Sequence, residues 1–362
     1  MTLSKLFKRA IKLLIVTMFL FITMNGCSDN NDDSSTDLIG DWIELSDFEG
    51  VPRSNAVSFT IGNKAYVGTG YDGEDRLNDF WEYDPDLNNW TRKADFPGTP
   101  RNGAVGFGTD TKGYIGTGYD GDNKLADFYE YDPSANTWKK IADFGGSARY
   151  GAVAFAIDNK GYVSTGFDGN ALKDLWEYDP STNEWTPKLS LIGGKRRDAV
   201  AFVINGKGYI CTGIDNGSYE NDLLEYDPAT NTWEKKRHIS DVSSDDYDDD
   251  YTSIVGTYKV AFTINGKGYV ATGGKSATGT AVWEYNPETD LWTAKTGLEA
   301  SARMEATGFA IGDLGYIVTG RNGRYYYDDL WGFKPGSEQV DLNKNLILGM
   351  LDDQSTLLRI KG

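Results

Sequence analysis

The chain is poor in the residues that build metal and redox centres, with one histidine, His238, and two cysteines, Cys27 and Cys211, in 362 residues. A single imidazole excludes a histidine-rich metal site. A Ser-His-Asp triad would have to be built around His238, and no surrounding motif argues for one. Two thiols cannot form the disulfide framework of a small secreted domain. Long apolar runs are also missing: residues 13–24 (LLIVTMFLFITM) are too short for a stable membrane span. Bases are scarce, 36 Lys and Arg against 54 Asp and Glu, for a net charge of −18. Such a surface repels phosphate backbones, so nucleic acid is not an expected partner.

What is present is a repeat. A Thr-Gly pair recurs with its threonine at 69, 117, 165, 212, 272 and 319, in steps of 48, 48, 47, 60 and 47. A period this long, filled with short alternating apolar runs and almost nothing at helical spacing, points to a propeller or a β-solenoid with one blade or coil per unit. Within the first full unit the run Ala56–Ile61 turns at Gly62-Asn63 into Ala65–Gly70. A loop through Asn78 then leads to Asp79–Tyr83, and a turn at Pro85 to Asn88 leads to Trp90. Later copies write the first turn as Asp158-Asn159, Asn205-Gly206, Asn265-Gly266 and Gly312-Asp313, residues that accept the positive φ of tight hairpins. Each unit therefore reads as four consecutive antiparallel strands.

Tyr83 and Trp90, Tyr131 and Trp138, Tyr178 and Trp185, Tyr226 and Trp233, and Tyr285 and Trp292 all keep one spacing, with Asp79, Asp127, Asp174, Asp222 and Asp329 opening third strands. This pattern resembles the kelch repeat, with Thr-Gly standing where that family writes a glycine doublet. The resemblance implies an all-β, six-bladed kelch-type β-propeller over residues 41–338. The sixth copy has Trp331 and Phe333 but no following tryptophan, and Asp41–Phe48 aligns with Asn89–Phe96. The N-terminal strand is therefore expected to close the last blade and remove an open edge. The aromatic residues are expected to wedge neighbouring sheets apart, and the recurring aspartates to bond backbone amides of the preceding loop. Residues 339–362 depart from the repeat, and their apolar cluster around Leu346 to Leu351 predicts a tail packed on the propeller.

The N-terminus carries an address. Lys5, Lys8, Arg9 and Lys12 precede the apolar run, which ends at Asn25-Gly26-Cys27-Ser28. This resembles a bacterial lipoprotein signal over residues 1–26, with Cys27 acylated after cleavage. Residues 27–40, rich in Asp, Ser and Asn, read as an acidic tether. The acids after the cysteine resemble the export tag of surface-displayed lipoproteins in the Bacteroidetes, which implies an outer-membrane protein facing the cell surface, or the periplasm as the alternative. Without the four leader bases, 32 bases face 54 acids, a net of −22. Membrane contact is then expected through the lipid alone. Cys211 lies where sister repeats place small or apolar residues and is expected to be a buried inert thiol.

Loops joining strands one to two and three to four are short and uniform, while those joining two to three and four to one vary and share the opposite face, where binding is expected. Blades one to three repeat Tyr71, Tyr119 and Phe167 there, and blade six offers Arg321, Arg324, Tyr325, Tyr326 and Tyr327. Arg53, Arg101, Arg149, Arg196 and Arg303 precede inner strands and are expected near the axis, where Asp198 and Glu305 replace Asn55, Gly103 or Gly151 of other blades; the recurring arginines read as structural, in a self-neutralising ring, and the two carboxylates as either structural or ligand-binding. The acidic insertion between Trp233 and Phe262 lacks the spacing of a calcium loop and reads as solvated and mobile; no metal or cofactor is expected. The expected function is a monomeric binding module for a glycan or a protein. Galactose oxidase, a copper propeller to which bacterial kelch chains are compared, needs two histidines that this chain lacks. A second resemblance, to the six-bladed kelch sialic acid epimerases, implies as the alternative a metal-free mutarotase using Asp198, Glu305, Arg196 and Arg303.

Overall fold

The computed structural model describes residues 38–337. The expectations placed on residues 1–26, on Cys27, on the tether as far as Asp37 and on the 339–362 tail lie outside the described residues.

Six four-stranded antiparallel sheets are arranged as blades. Blade one runs Val57–Ile61, Lys64–Gly68, Phe80–Asp84 and Asn89–Arg92, from the axis outward. The inner strands begin the later blades at Val105, Val153, Val200, Val260 and Thr307. Alternation along each inner strand decides which neighbour it meets. In blade one Val57, Phe59 and Ile61 join a buried cluster with Ile115 and Tyr131 of blade two. The residue between them, Ser58, turns the other way and donates to Gly308 O of blade six at 2.8 Å. The core is accordingly a set of six apolar wedges, one between each pair of adjacent sheets.

The N-terminal strand Asp41–Glu44 pairs antiparallel with Leu330–Lys334 and completes blade six. Trp42 fastens it: the indole packs at a tilt against Phe333, centroids 4.8 Å apart, and donates to Thr296 O of blade five at 3.1 Å. The Tyr–Trp spacing places the two rings directly across strands three and four, with Tyr83 opposite Trp90 and centroids 5.0 Å apart. Asn88 in the intervening turn, at φ 47°, accepts from the Tyr83 hydroxyl and from Ser46 N of the preceding blade connection.

The recurring arginines and aspartates correct the expectation drawn from the sequence. Arg53 does not face the axis; it is fully buried and grips Asp79 through two bonds of 2.5 and 2.7 Å, while Nη1 also donates to Thr69 O. Arg101 with Asp127, Arg149 with Asp174, Arg196 with Asp222, and Arg303 with Asp329 repeat the arrangement. The aspartates thus receive guanidinium groups, not the backbone amides expected, because a buried arginine needs a planar counter-charge more than a loop amide does. Arg196 and Arg303 are thereby committed inside the blades.

Blade five departs from this rule. Gly256 and Ala281 occupy the two positions, and Lys259 Nζ instead donates to Thr272 O at 2.8 Å and to Ser253 O at 3.0 Å. Trp283 Nε1 donates to Ser253 Oγ, where Trp81 and Trp331 use the blade aspartate. Ser253 belongs to the insertion, which is anchored rather than solvated throughout. Its Ile239, Tyr251, Ile254 and Val255 are buried in the wedge between blades four and five, and the Tyr251 hydroxyl accepts from Trp292 N at 2.7 Å. Apolar residues spaced among the aspartates pull the segment down, and its acidic crest stays in solvent except for Asp248, which is buried. There Asp241, Asp248 and Asp249 place carboxylate oxygens within 4.8 Å of one another. Asp248 is already committed to Val242 N, Ser243 N and Ser243 Oγ.

Candidate functional site

On the face carrying the variable loops, six residues surround the axis: Asn55, Gly103, Gly151, Asp198, Tyr258 and Glu305. All six have φ between 51° and 62°. Five of the six links between them are backbone hydrogen bonds, such as Gly103 N to Asn55 O at 3.1 Å and Asn55 N to Glu305 O at 2.8 Å, so the mouth is a near-continuous hydrogen-bonded annulus. This left-handed backbone suits glycine and asparagine and strains the others, which costs on the order of 1–3 kcal/mol per residue and persists at sites the surrounding structure over-determines. Below the annulus the channel narrows into a cavity of about 220 Å³ walled by Ala56, Ala104, Ala152, Ala199 and Ala306 together with Lys259.

Charges at the mouth are nearly all paired. Glu305 takes both Nε and Nη2 of Arg321 at 2.6 Å. Asp198 is buried against Arg197, whose Nη1 also reaches the Tyr258 hydroxyl at 3.4 Å. Burial pushes the Asp198 carboxyl up to about 6, the nearby Glu305 carboxylate adds to that, and Arg197 and Tyr258 hold it back. Burial likewise raises Tyr258 to about 12, with Asp198 contributing. Glycine at 151 leaves room for the Asp198 carboxylate, since a Cβ there would come 2.5 Å from Asp198 Oδ1 and displace it.

Around the annulus runs a belt of aromatic rings and cations. Single bridges tie the residue beside each annulus position to the start of a variable loop, as with Ser54 and Tyr71, Asn102 and Tyr119, Tyr150 and Phe167, and Met304 and Arg321. Tyr326 meets Tyr71 edge-on at 6.3 Å. Arg76 lies between Tyr71 and Tyr119, its Cζ 5.3 and 4.9 Å from their centroids. Tyr119, Tyr150 and Phe167 then follow at successive separations of 5.6 Å, and Arg197 sits 5.7 Å from Phe167.

Of the residues singled out from sequence, Tyr71, Tyr119, Phe167, Arg321, Tyr326, Asp198 and Glu305 are brought together at this mouth. Arg324 and Tyr325 stand exposed at a hairpin formed by Arg321–Asn322 and Tyr325–Tyr326, and Tyr325 keeps 77% of its surface in solvent. Tyr327 turns inward, with Arg303 4.5 Å above its ring, a contact like those of Arg53, Arg101 and Arg149 with Phe48, Phe96 and Phe144, although the phenylalanine position itself is held in this blade by buried Leu298. It supports the blade and does not face the mouth; Arg196 and Arg303 are likewise absent from it. Arg76, Tyr150, Arg197 and Tyr258 were missed. Arg197 was hidden beside the recurring Arg196, and Tyr258 was readable as the residue in the annulus column of the blade that lost its arginine.

The kelch-repeats domain described for KLHDC2, KLHL20 and DRC7 matches residues 40–163 and 103–259, together more than half of the chain. Nothing matches among curated proteins. Among solved structures 919 chains match, so the likeness by itself selects no ligand. One of them, titled "Structure of YjhT", superposes with a TM-score of 0.65 at 19% identity, covering 79% of this chain and 95% of that one. Together with the six-bladed architecture, the domain match settles the family: the chain belongs to the kelch-repeat propellers.

Proposed function

We propose that this protein is a binding module whose axial mouth recognises a glycan. What supports the reading is the aromatic belt, in which Tyr326, Tyr71, Tyr119, Tyr150 and Phe167 succeed one another around a polar annulus. Sugar rings present apolar faces to aromatic side chains and hydroxyls to paired charges. A rigid annulus also limits the ordering that binding would require. The test is a glycan array and thermal shift on residues 38–362, repeated with Tyr119→Ala and Tyr326→Ala. A sugar that raises the wild-type melting temperature and not that of the variants places the site. No response to any sugar moves the assignment to a protein partner, sought by crosslinking.

A second reading is favoured by one observation, the buried Asp198 with its carboxyl raised to about 6 beside Tyr258. Such a group exchanges protons near neutral pH, as ring-opening mutarotation of a reducing sugar requires. An Asp198→Asn variant should then lose mutarotation measured by polarimetry while still binding the sugar. In this reading Asp198 and Glu305 remain candidates, but the anion clamp falls to Arg197 and Arg321, since Arg196 and Arg303 are buried in ion pairs.

We further propose, on the sequence of residues 1–40, that the propeller is held on a bacterial outer membrane by acylated Cys27, facing the cell surface. Cys27→Ser should release it into the soluble fraction; retention in membranes would sink the anchor.

A further inference from the structure

Every described arginine other than Arg76 and Arg324 lies within 4.0 Å of a carboxylate oxygen. Arg324 is exposed on its hairpin; Arg76 is half-buried at the mouth. Its guanidinium is clamped between the Tyr71 and Tyr119 rings, and Nε donates to Asn102 Oδ1 at 2.9 Å. Nη1 and Nη2 have no hydrogen-bond partner among the described residues. Neighbouring acids engage their own loops: Asp72 Oδ1 accepts from Glu74 N and Asp75 N, and Asp120 Oδ1 from Asp122 N and Asn123 N, so that Asp120 feels the Arg76 charge without pairing with it.

The lack of a direct ion pair is unusual in a chain with 54 acidic residues, which supplies a carboxylate to both other guanidinium groups of the mouth. A second cation stands beside it. Lys124 holds the same loop position in blade two, bridging Tyr119 as Arg76 bridges Tyr71, and its Nζ lies 5.8 Å from the Phe167 centroid without a carboxylate in ion-pair range. Blade three has Ala171 at that position, so the cations without an ion pair are confined to one sector. A guanidinium fixed in orientation by two rings and one hydrogen bond, with its fork left open, is matched in shape and charge by a carboxylate.

Resting on the glycan reading above, we infer that Arg76, assisted by Lys124, receives the carboxylate of an acidic oligosaccharide of hexuronate type. The sugar chain lies along Tyr119, Tyr150 and Phe167, and Asn102 keeps the guanidinium aimed at the acid. The sector of blades one to three, which is nearly uniform in sequence, thereby reads charge, while Arg321 and Tyr326 border the mouth on the side of blade six.

The test uses the protein with oligogalacturonate and the same oligosaccharide as its methyl ester, by titration calorimetry, with thermal unfolding as the check on folding. Wild type should prefer the acid form by about tenfold or more, the size of one charge-assisted contact. Arg76→Gln should cut the acid-to-ester ratio severalfold toward one, and Lys124→Gln should narrow it less. If Arg76→Gln does not fold, Arg76→Lys decides: loss of the fork should lower the ratio by about threefold or more, and an unchanged ratio overturns the assignment. Equal binding of acid and ester by wild type overturns it too, with sugar recognition intact. Binding of neither form, where a neutral glycan binds, overturns the hexuronate alone; binding of no glycan at all overturns both readings.

Discussion

Lys259 Nζ lies 2.8 Å from the carbonyl oxygen of Thr272, the bond that an arginine makes at Thr69, Thr117, Thr165, Thr212 and Thr319. The lysine reaches the carbonyl from three residues further along the chain than the arginine column, because Gly256 has vacated that column. With no carboxylate at Ala281, the ammonium is buried among carbonyls, and burial lowers it to about 8. A lysine whose folded value lies below its unfolded value of about 10.4 binds fewer protons folded than unfolded between those limits. Its charge therefore weakens the fold at neutral pH, and that penalty falls as pH rises from 8 to 10. Lys259→Met should remove this pH-dependent component, so chemical denaturation of wild type and variant should converge or cross over that range. Parallel curves would place the charge elsewhere.

The five Arg–Asp pairs lead to a prediction on stability alone. Arg101→Ala leaves Asp127, a half-buried carboxylate, without its partner and should cost at most about 3–5 kcal/mol, the figure for breaking a fully buried pair. The double change Arg101→Gly with Asp127→Ala copies what blade five carries at Gly256 and Ala281, and should be less damaging than the single change. Burial raises the Asp127 carboxyl and Arg101 more than offsets it, so it titrates below its ordinary value. The pair's contribution is present above pH about 4 and is lost as pH falls through the lowered value. A double-mutant cycle by urea unfolding at pH 7 and pH 3 measures both effects; additive losses would refute the coupling.

These pairs also mark how far the sequence could be read. Period, blade count and the closing strand follow from spacings such as Tyr83 to Trp90, because each copy repeats the same local geometry. Partnership between Arg53 and Asp79 did not follow. The pairs recur 25 or 26 residues apart in opposite strands' approaches, and recurrence tells that a residue matters without telling what it faces. The informative position was the exception, where Gly256 and Ala281 lose both members together. At the mouth, Asp198 and Glu305 were visible as departures from glycine, whereas Arg76 was not, since its meaning lies in two rings contributed by different blades.

Thr117 carries a different strain. Like the five threonines equivalent to it, it is β-branched, fully buried and left-handed, at φ 57°, and its hydroxyl has no protein partner. Left-handed strain of about 1–3 kcal/mol and an unsatisfied hydroxyl of about 1–3 kcal/mol oppose the burial of one methyl group, worth about 0.8 kcal/mol, and the entropy that glycine loses on folding, about 0.5–1 kcal/mol. Thr117→Gly should therefore be neutral or raise the melting temperature, although a fully buried side chain is removed. A loss above about 2 kcal/mol would show that the hydroxyl is satisfied in solution.

Asp198 gives the mouth a pH dependence of opposite sign to that of the Arg–Asp pairs. Its carboxyl rises to about 6, mainly by burial, against an unfolded value of about 3.9, so the folded protein holds the proton more tightly. The contribution is fully present below the unfolded value and is lost as pH rises through 6. Wild type should gain stability relative to Asp198→Asn as pH falls from 7.5 to 5, the reverse of the trend for Asp127. The same titration changes the mouth: above pH 6 Asp198 is charged and pairs fully with Arg197, and below it Arg197 is released toward Phe167 and the ligand. Affinity for a carboxylated sugar should consequently rise between pH 7 and pH 5 in wild type and stay flat in Asp198→Asn. A pH profile shared by both proteins would mean that Arg197 is held by the annulus itself and takes no part in recognition.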